Sequence, residues 1–333
     1  MSLDRSIAPP LQAIEKLQIH PPETLTLANN STLHLINQGA QDLLMLNLSF
    51  NAGKWYEPQK HLAQFTNRML REGTLHLNSQ QIAQQTDYYG ASLRTQSRNN
   101  HAEVILYTLS KHLKDLLPII KSLVTQAIFP AKELDLILQN SKEKLLVNQQ
   151  KTDYVADGLF RQLMFGNTHP YGYDTYLSDF DTISIDKLIP FYQKHYCSSN
   201  CSIYLAGKIS DTNLAIIREQ LGGSDWLGSS VASPSHPIPL YEVQHKRHRL
   251  PGALQAAIRV GMPFMTRRHP DYAKVFIVNT LLGGFFGSRL MRNIREDKGY
   301  TYGIYSNIAS MVNGGYFLIS SEVDTNSWEA CLK

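Results

Sequence analysis

Cysteine is scarce in this chain, with 3 in 333 residues, and the scatter of Cys197, Cys201 and Cys331 excludes a disulfide framework. Cys197 and Cys201 stand in a CSSNC run with no second pair, so they read as ordinary thiols at the start of a strand. Long apolar runs are absent as well. No stretch reaches the roughly 18 residues a membrane span needs, and the N-terminal 22 residues hold no apolar export core. The expectation is a cytoplasmic protein with no membrane partner. Charge of one sign is also lacking: 32 Lys and Arg against 28 Asp and Glu give a net charge of +4. With no basic cluster interleaved with aromatics, a nucleic-acid partner is not expected.

What is present is a length suited to two domains and a hydrophobic fraction of 43%. Residues 1–27 carry four prolines and little periodicity, and read as an extended arm. Residues 28–221 form a first domain. TLHLINQ and DLLMLNLSFNAG alternate as strands, helices are predicted over 60–72 and 78–89, and ASLRTQS and EVILYTLS pair around Arg98-Asn99-Asn100. Further helices are expected over about 112–128, after Pro130, over 154–165 and over 184–195. A strand at 202–209 and a helix capped by Ser210 or Asp211 follow. Residues 222–240, rich in Gly, Ser and Pro, read as a linker.

From 241 to 333 the order of elements starts again: LQAAIRVGMP as a strand, DYAKVFIVNTLL as a helix, a GGFFGS loop, SRLMRNIRE as a helix, then two strands joined at Asn313-Gly314-Gly315. The expected fold is α+β, two homologous domains, each a mixed and mostly antiparallel sheet covered by helices. The second copy is expected to be truncated, with part of its apolar cover missing.

Residues 52–74, AGKWYEPQKHLAQFTNRMLREGT, resemble the insulinase-type (pitrilysin, inverzincin) peptidase segment that carries H-x-x-E-H on a helix ahead of M-L-x-x-G-T. In that motif His at i and i+4 bind zinc from one helical face, and the Glu activates the bound water. Anchored on Met69-Leu70 and Gly73-Thr74, the resemblance puts Gln64, Asn67 and Arg68 at the three motif positions. Amides are poor zinc ligands, Asn is no base, and a fixed guanidinium repels the metal. His61 has Phe65 as its i+4 neighbour and forms no pair, so it reads as a lone exposed or interfacial side chain. For the third ligand Glu143 is the nearest candidate, with Asn140 close behind, and Glu143 is better read as a solvated helix charge. No metal or other cofactor is expected in this chain.

LLGGFFGSRLMRNIREDKGYTYGIYS, residues 281–306, resembles the family's downstream signature, with the flanking Gly-Gly, Ser288-Arg289-Leu290 and Gly299 in register. The resemblance implies that Arg295 and Tyr302 form the pair that holds a substrate carbonyl and stabilises the developing oxyanion, and it places Gly283 and Gly284 beside the substrate. Read without it, Arg295 is a helix-end charge and Tyr302 a strand residue. A phosphate loop at Gly283, Gly284 and Gly287 is weak, because no Lys-Ser/Thr follows. FGNTHPYG (165–172) and FYQKHYCSSNCSIYLAGKIS (191–210) extend the resemblance over most of the chain.

A chain with the zinc half erased and the Arg/Tyr half intact is similar to the metal-free subunit of a heterodimeric, mitochondrial-processing-peptidase-like bacterial peptidase. The resemblance implies a zinc-bearing paralogue as partner, with Arg295 and Tyr302 acting in trans on an extended peptide substrate. Two alternatives stay open: a structural or interaction protein like the respiratory core proteins, and an active zinc peptidase with a non-standard site.

Overall fold

The computed structural model describes residues 6, 8, 19–239 and 242–333. Most of the predicted arm lies outside the described residues. Its last part departs from the expectation, because Glu23–Thr26 is a short strand, β1, paired antiparallel with β2 (Thr32–Asn37).

The first sheet has six strands in the order β1-β2-β6-β3-β5-β4, with β3 at Leu43–Phe50, β4 at Ser92–Ser97, β5 at Ala102–Leu109 and β6 at Cys201–Gly207. Only β2 and β6 run parallel; β6, β3, β5 and β4 are antiparallel neighbours. The alternation in β3 produces this layering directly. Leu44, Leu46, Leu48 and Phe50 are buried on the helix side, while Met45, Asn47 and Ser49 face the other way.

Helices α1 (Leu62–Met69), α2 (Ser79–Tyr88), α3 (Leu113–Thr125), α4 (Ala131–Asn148), α5 (Thr152–Phe165), α6 (Leu177–Asp181), α7 (Ile185–His195) and α8 (Asp211–Leu221) follow the predicted order, apart from α6, a single turn with too little periodicity to read. Asn78 and Ser210 are the caps of α2 and α8, each closing a reciprocal box with the residue three positions on. Gly90 ends α2 at φ +61°.

The second sheet has three antiparallel strands in the order β7-β9-β8, with β7 at Gln255–Pro263, β8 at Thr301–Ser310 and β9 at Gly315–Asp324. This is the order β3-β5-β4 of the first sheet over again, so the repeat in the sequence is a repeat of topology. Between β7 and β8 lie α9 (Tyr272–Asn279), a π-helical turn at Thr280–Gly284 and a second π-helical stretch at Met291–Asp297; α10 (Trp328–Leu332) follows β9. The predicted GGFFGS loop therefore starts inside the π-helical turn. A row of apolar side chains on α9 and beyond it, Phe276, Ile277, Val278, Leu281, Phe285 and Phe286, is exposed.

The predicted linker is fastened down. Trp226 is buried and donates from Nε1 to Tyr196 O at 3.1 Å; Ser199 Oγ donates to Gly228 O, and Trp55 Nε1 donates to Pro234 O at 3.0 Å. His236 Nε2 bonds Trp55 O at 2.9 Å. A Gly/Ser/Pro stretch becomes a strap here because its backbone meets side-chain donors of the first half at several points.

Candidate functional site

Helix α1 packs on β4 and β5 with Phe65 and Met69 fully buried. Its 3.6-residue period leaves Gln64 and Arg68 on the exposed stripe and turns Asn67 into the protein. Asn67 Nδ2 donates to Glu103 O at 3.3 Å and to the Tyr196 hydroxyl at 3.2 Å, so this amide ties α1 to β5 and the end of α7. Arg68 reaches towards α4, where Nη1 donates to Ser141 Oγ at 3.3 Å.

Ser141, missed in the sequence, is the α4 residue that meets Arg68. Glu143 is exposed and accepts from Gln139 of its own helix at 3.3 Å, and Asn140 is exposed. An exposed amide, a bonded buried amide and a guanidinium do not fit zinc, and no group of three or more His, Cys, Asp or Glu among the described residues could hold a metal.

At the start of α1 the reading of His61 is corrected. It is buried, 4% exposed, with its ring against Phe180, Tyr173 and Phe65. Aromatic residues of α6 and the segment before it, far off in sequence, close over it. Its backbone has φ +68°, a conformation glycine takes more readily. Burial, helped by the Lys54 ammonium, pushes its pKa down to about 4 against the pull of Asp179, whose Oδ2 lies 3.7 Å from Nε2.

With no side-chain cap at His61, the helix start is served from outside: Ala63 N–H donates to Glu57 Oε2 at 3.0 Å. The other Glu57 oxygen accepts from the Tyr173 hydroxyl at 2.5 Å. Burial raises the Glu57 pKa to about 7 in spite of these bonds. Lys54, its pKa lowered by burial, and Lys60 sit over the Tyr173 ring at 4.7 and 5.2 Å.

In the second half, Gly283 lies against β8: a Cβ there would stand 2.5 Å from Ser306 N. Gly284 is exposed, with Thr280 the nearest obstacle at 3.3 Å. Arg295 lies in the second π-helical stretch, and its guanidinium sits 4.3 Å from the Phe286 ring centre. Tyr302 is 89% exposed at a break in the β8–β9 register between Thr301 and Ile304. Thr301 holds that bulge, since Gly303 N–H donates to its Oγ1 at 3.0 Å and the Thr301 hydroxyl donates to Glu322 O at 2.6 Å.

The halves meet away from both places. Arg259 of β7 bonds Asp157 of α5 at 2.6 Å and Glu322 of β9 at 2.9 Å, and Phe160 and Phe165 of α5 pack on Tyr316 of β9. Among the described residues no hydrogen bond, ion pair or ring contact joins Arg295 or Tyr302 to Gln64, Asn67 or Arg68. No helix among them is long and apolar enough to cross a membrane.

Residues 35–170 match the family model for insulinase (peptidase family M16), and residues 182–333 match that for the peptidase M16 inactive domain. The uncharacterized zinc protease YmxG of Bacillus subtilis is 22% identical over 267 residues, which is 80% of this chain and 64% of that protein. The non-peptidase homolog YmxG of Helicobacter pylori is 24% identical over 88% of this chain and 68% of its own length. The chain thus spans about two thirds of these relatives. A crystal structure of a peptidase M16 inactive domain from Pseudomonas fluorescens, 25% identical, superposes with a TM-score of 0.86 over 94% of this chain and 77% of that one. The periplasmic protease PqqL of Escherichia coli, 15% identical, shares the fold at a TM-score of 0.72 over 95% of this chain and 37% of its own. Two matched models of one family, a repeated topology and a helix whose motif positions cannot hold zinc lead to one conclusion: the chain belongs to the insulinase (M16) peptidase family, as a member without the zinc-binding residues.

Proposed function

We propose that this chain is the metal-free subunit of a two-subunit peptidase and lends Arg295 and Tyr302 to the site of a zinc-bearing paralogue. The observation that carries the reading is the state of those two donors. The Tyr302 hydroxyl and the Arg295 guanidinium make no hydrogen bond to a described residue; Arg295 only stacks on Phe286, and Tyr302 stands out from a bulge that Thr301 holds in place. A phenol and a planar guanidinium fit the tasks of donating to a developing oxyanion and gripping a peptide carbonyl. In this reading Gly283 and Gly284 shape the approach to the pair, and zinc chemistry belongs to the partner.

Co-expression with a zinc-bearing paralogue and a peptidase assay tests it. Peptide cleavage is expected to need both chains. Tyr302→Phe is expected to lower kcat by about 10²–10³-fold, the usual effect of removing one oxyanion donor. Unchanged rates for Tyr302→Phe and Arg295→Ala in the assembled complex would instead establish a purely structural subunit.

A further inference from the structure

Phe286 stands in a turn, closed by Ser288 N–H donating to Phe285 O at 3.1 Å, that leads from the first π-helical turn to the stretch bearing Arg295. Its side chain is largely in solvent, with the residue 63% exposed, so packing into the core does not account for an aromatic there. The contact it makes is with Arg295, whose guanidinium lies 4.3 Å from the ring centre. A cation over the face of a ring is attracted by the negative side of its quadrupole.

The backbone that leads to this ring is fixed. Asn279, buried at the end of α9, donates from Nδ2 to Ser306 O of β8 at 3.4 Å, and Ser306 Oγ donates back to Asn279 O at 3.2 Å. At Gly283 the π-helical turn comes so close to β8 that no side chain fits, and Phe286 follows three residues later. How an arginine is held decides what it can still do. Arg259 faces Asp157 and Glu322, and Arg98 faces Glu103, so the charge of each is already matched. A ring instead takes the flat face of a guanidinium and leaves the N–H donors around its rim. Arg295 is held in this second way, with no ion pair to a carboxylate of the described residues.

We infer that Phe286 is a positioning residue for Arg295: its ring holds the guanidinium flat with the N–H donors free, and the Asn279–Ser306 pair fixes the turn that carries the ring. This rests on the reading of Arg295 as the group that grips a peptide carbonyl, and it names the residue that aims it. Arginine has a long, flexible side chain, so ordering it in advance reduces the entropy lost when a peptide arrives. Leucine in place of Phe286 keeps much of the apolar bulk and loses the face that attracts the cation.

In the chain alone, the Arg295 side-chain protons should show an upfield ring-current displacement by NMR, lost in Phe286→Leu and kept in Phe286→Tyr. In the complex co-expressed with a zinc-bearing paralogue, Phe286→Leu is expected to raise KM for peptide about three- to fivefold with kcat little changed, the size of an exposed cation–π contact. Phe286→Tyr should restore KM, and both variants should keep the parent's Tm and assemble with the partner. Once Arg295 is replaced by alanine, Phe286→Leu should have no further effect on KM. A parent spectrum without the displacement overturns the positioning role. So does a KM that Arg295→Ala raises and Phe286→Leu leaves unchanged, and in that case the proposed function stands. An effect of Phe286→Leu that is equal with and without Arg295 makes the ring a direct peptide or partner contact, which also overturns it. Arg295→Ala with no effect on KM or kcat removes the proposed role of Arg295 itself, and with it anything for Phe286 to aim.

Discussion

The Tyr173 hydroxyl donates to Glu57 at 2.5 Å across 116 positions of sequence, and the other oxygen of the same carboxylate caps the Ala63 N–H of α1. One buried acid thus joins the start of the motif helix to the segment leading into α6. Its charge state, and that of His61 beside it, should be legible in stability.

In the folded chain Glu57 holds its proton up to about pH 7, against an ordinary value of 4.5. Below 4.5 it is neutral in both states and above 7 ionised in both, so its contribution to stability falls as pH rises through that window. His61 has the opposite sign: lowered to about 4 from 6.5, it stays neutral when folded while the unfolded chain protonates, so stability rises with pH between 4 and 6.5. In the wild type the two slopes largely offset one another. Glu57→Gln, whose oxygen can still cap Ala63 while its amide faces the Tyr173 oxygen, should unmask a rise of about 2–3 kcal/mol from pH 4 to 6.5. His61→Gly, at a backbone angle glycine accepts, should unmask the fall. Urea titrations across this range decide the matter, and a Glu57→Gln profile parallel to the parent's would refute the assignment.

The Arg259 side chain is 7% exposed, and the side chains of its partners Asp157 and Glu322 are 46% and 40% exposed. Removing the cation leaves carboxylates that water can reach, so the loss should stay below that of a fully buried pair. Arg259→Ala is expected to lower unfolding free energy by about 2–3 kcal/mol, and Arg259→Met by less because it keeps the packed stem. Thermal and denaturant unfolding measure this. A loss under about 0.5 kcal/mol would mean that the joint between the halves is carried by Phe160, Phe165 and Tyr316 alone.

Gly283 and Gly284 are neighbours with different obligations. A methyl at Gly283 collides with the β8 backbone at 2.5 Å, whereas at Gly284 it meets the Thr280 side chain at 3.3 Å. Gly283→Ala should cost about 1–3 kcal/mol through strain between the π-helical turn and β8, and Gly284→Ala less than about 1 kcal/mol. Comparing their Tm values separates packing from any effect on peptide cleavage; equal, small losses would show that β8 yields easily.

Much of this fold could be read from residue order. The alternation of β3, the Asn78 and Ser210 caps and the repeat of strand, helices and strand pair rest on local chemistry, and the structure carries them over as the order β3-β5-β4 beside β7-β9-β8. That Gln64, Asn67 and Arg68 are poor partners for zinc follows from their side chains alone, in any surroundings. What stayed hidden depended on long-range contact. β1 is an exposed edge with no buried stripe, Ser141 carries no chemistry that would single it out, and His61 is buried by Tyr173 and Phe180 more than a hundred positions away. Sequence assigns Tyr302 only by resemblance; the bulge that presents it depends on Thr301 and a partner strand.

The stretch between the two sheets, tied through Trp55, Trp226 and His236, changes what motion is open to the molecule. A slack tether would let the second half sample many orientations, and a partner would have to select one at an entropic cost. Here the indole of Trp55 acts as a cleat, so the free length of chain between the two sheets is shorter than the Gly, Ser and Pro content of the stretch suggests.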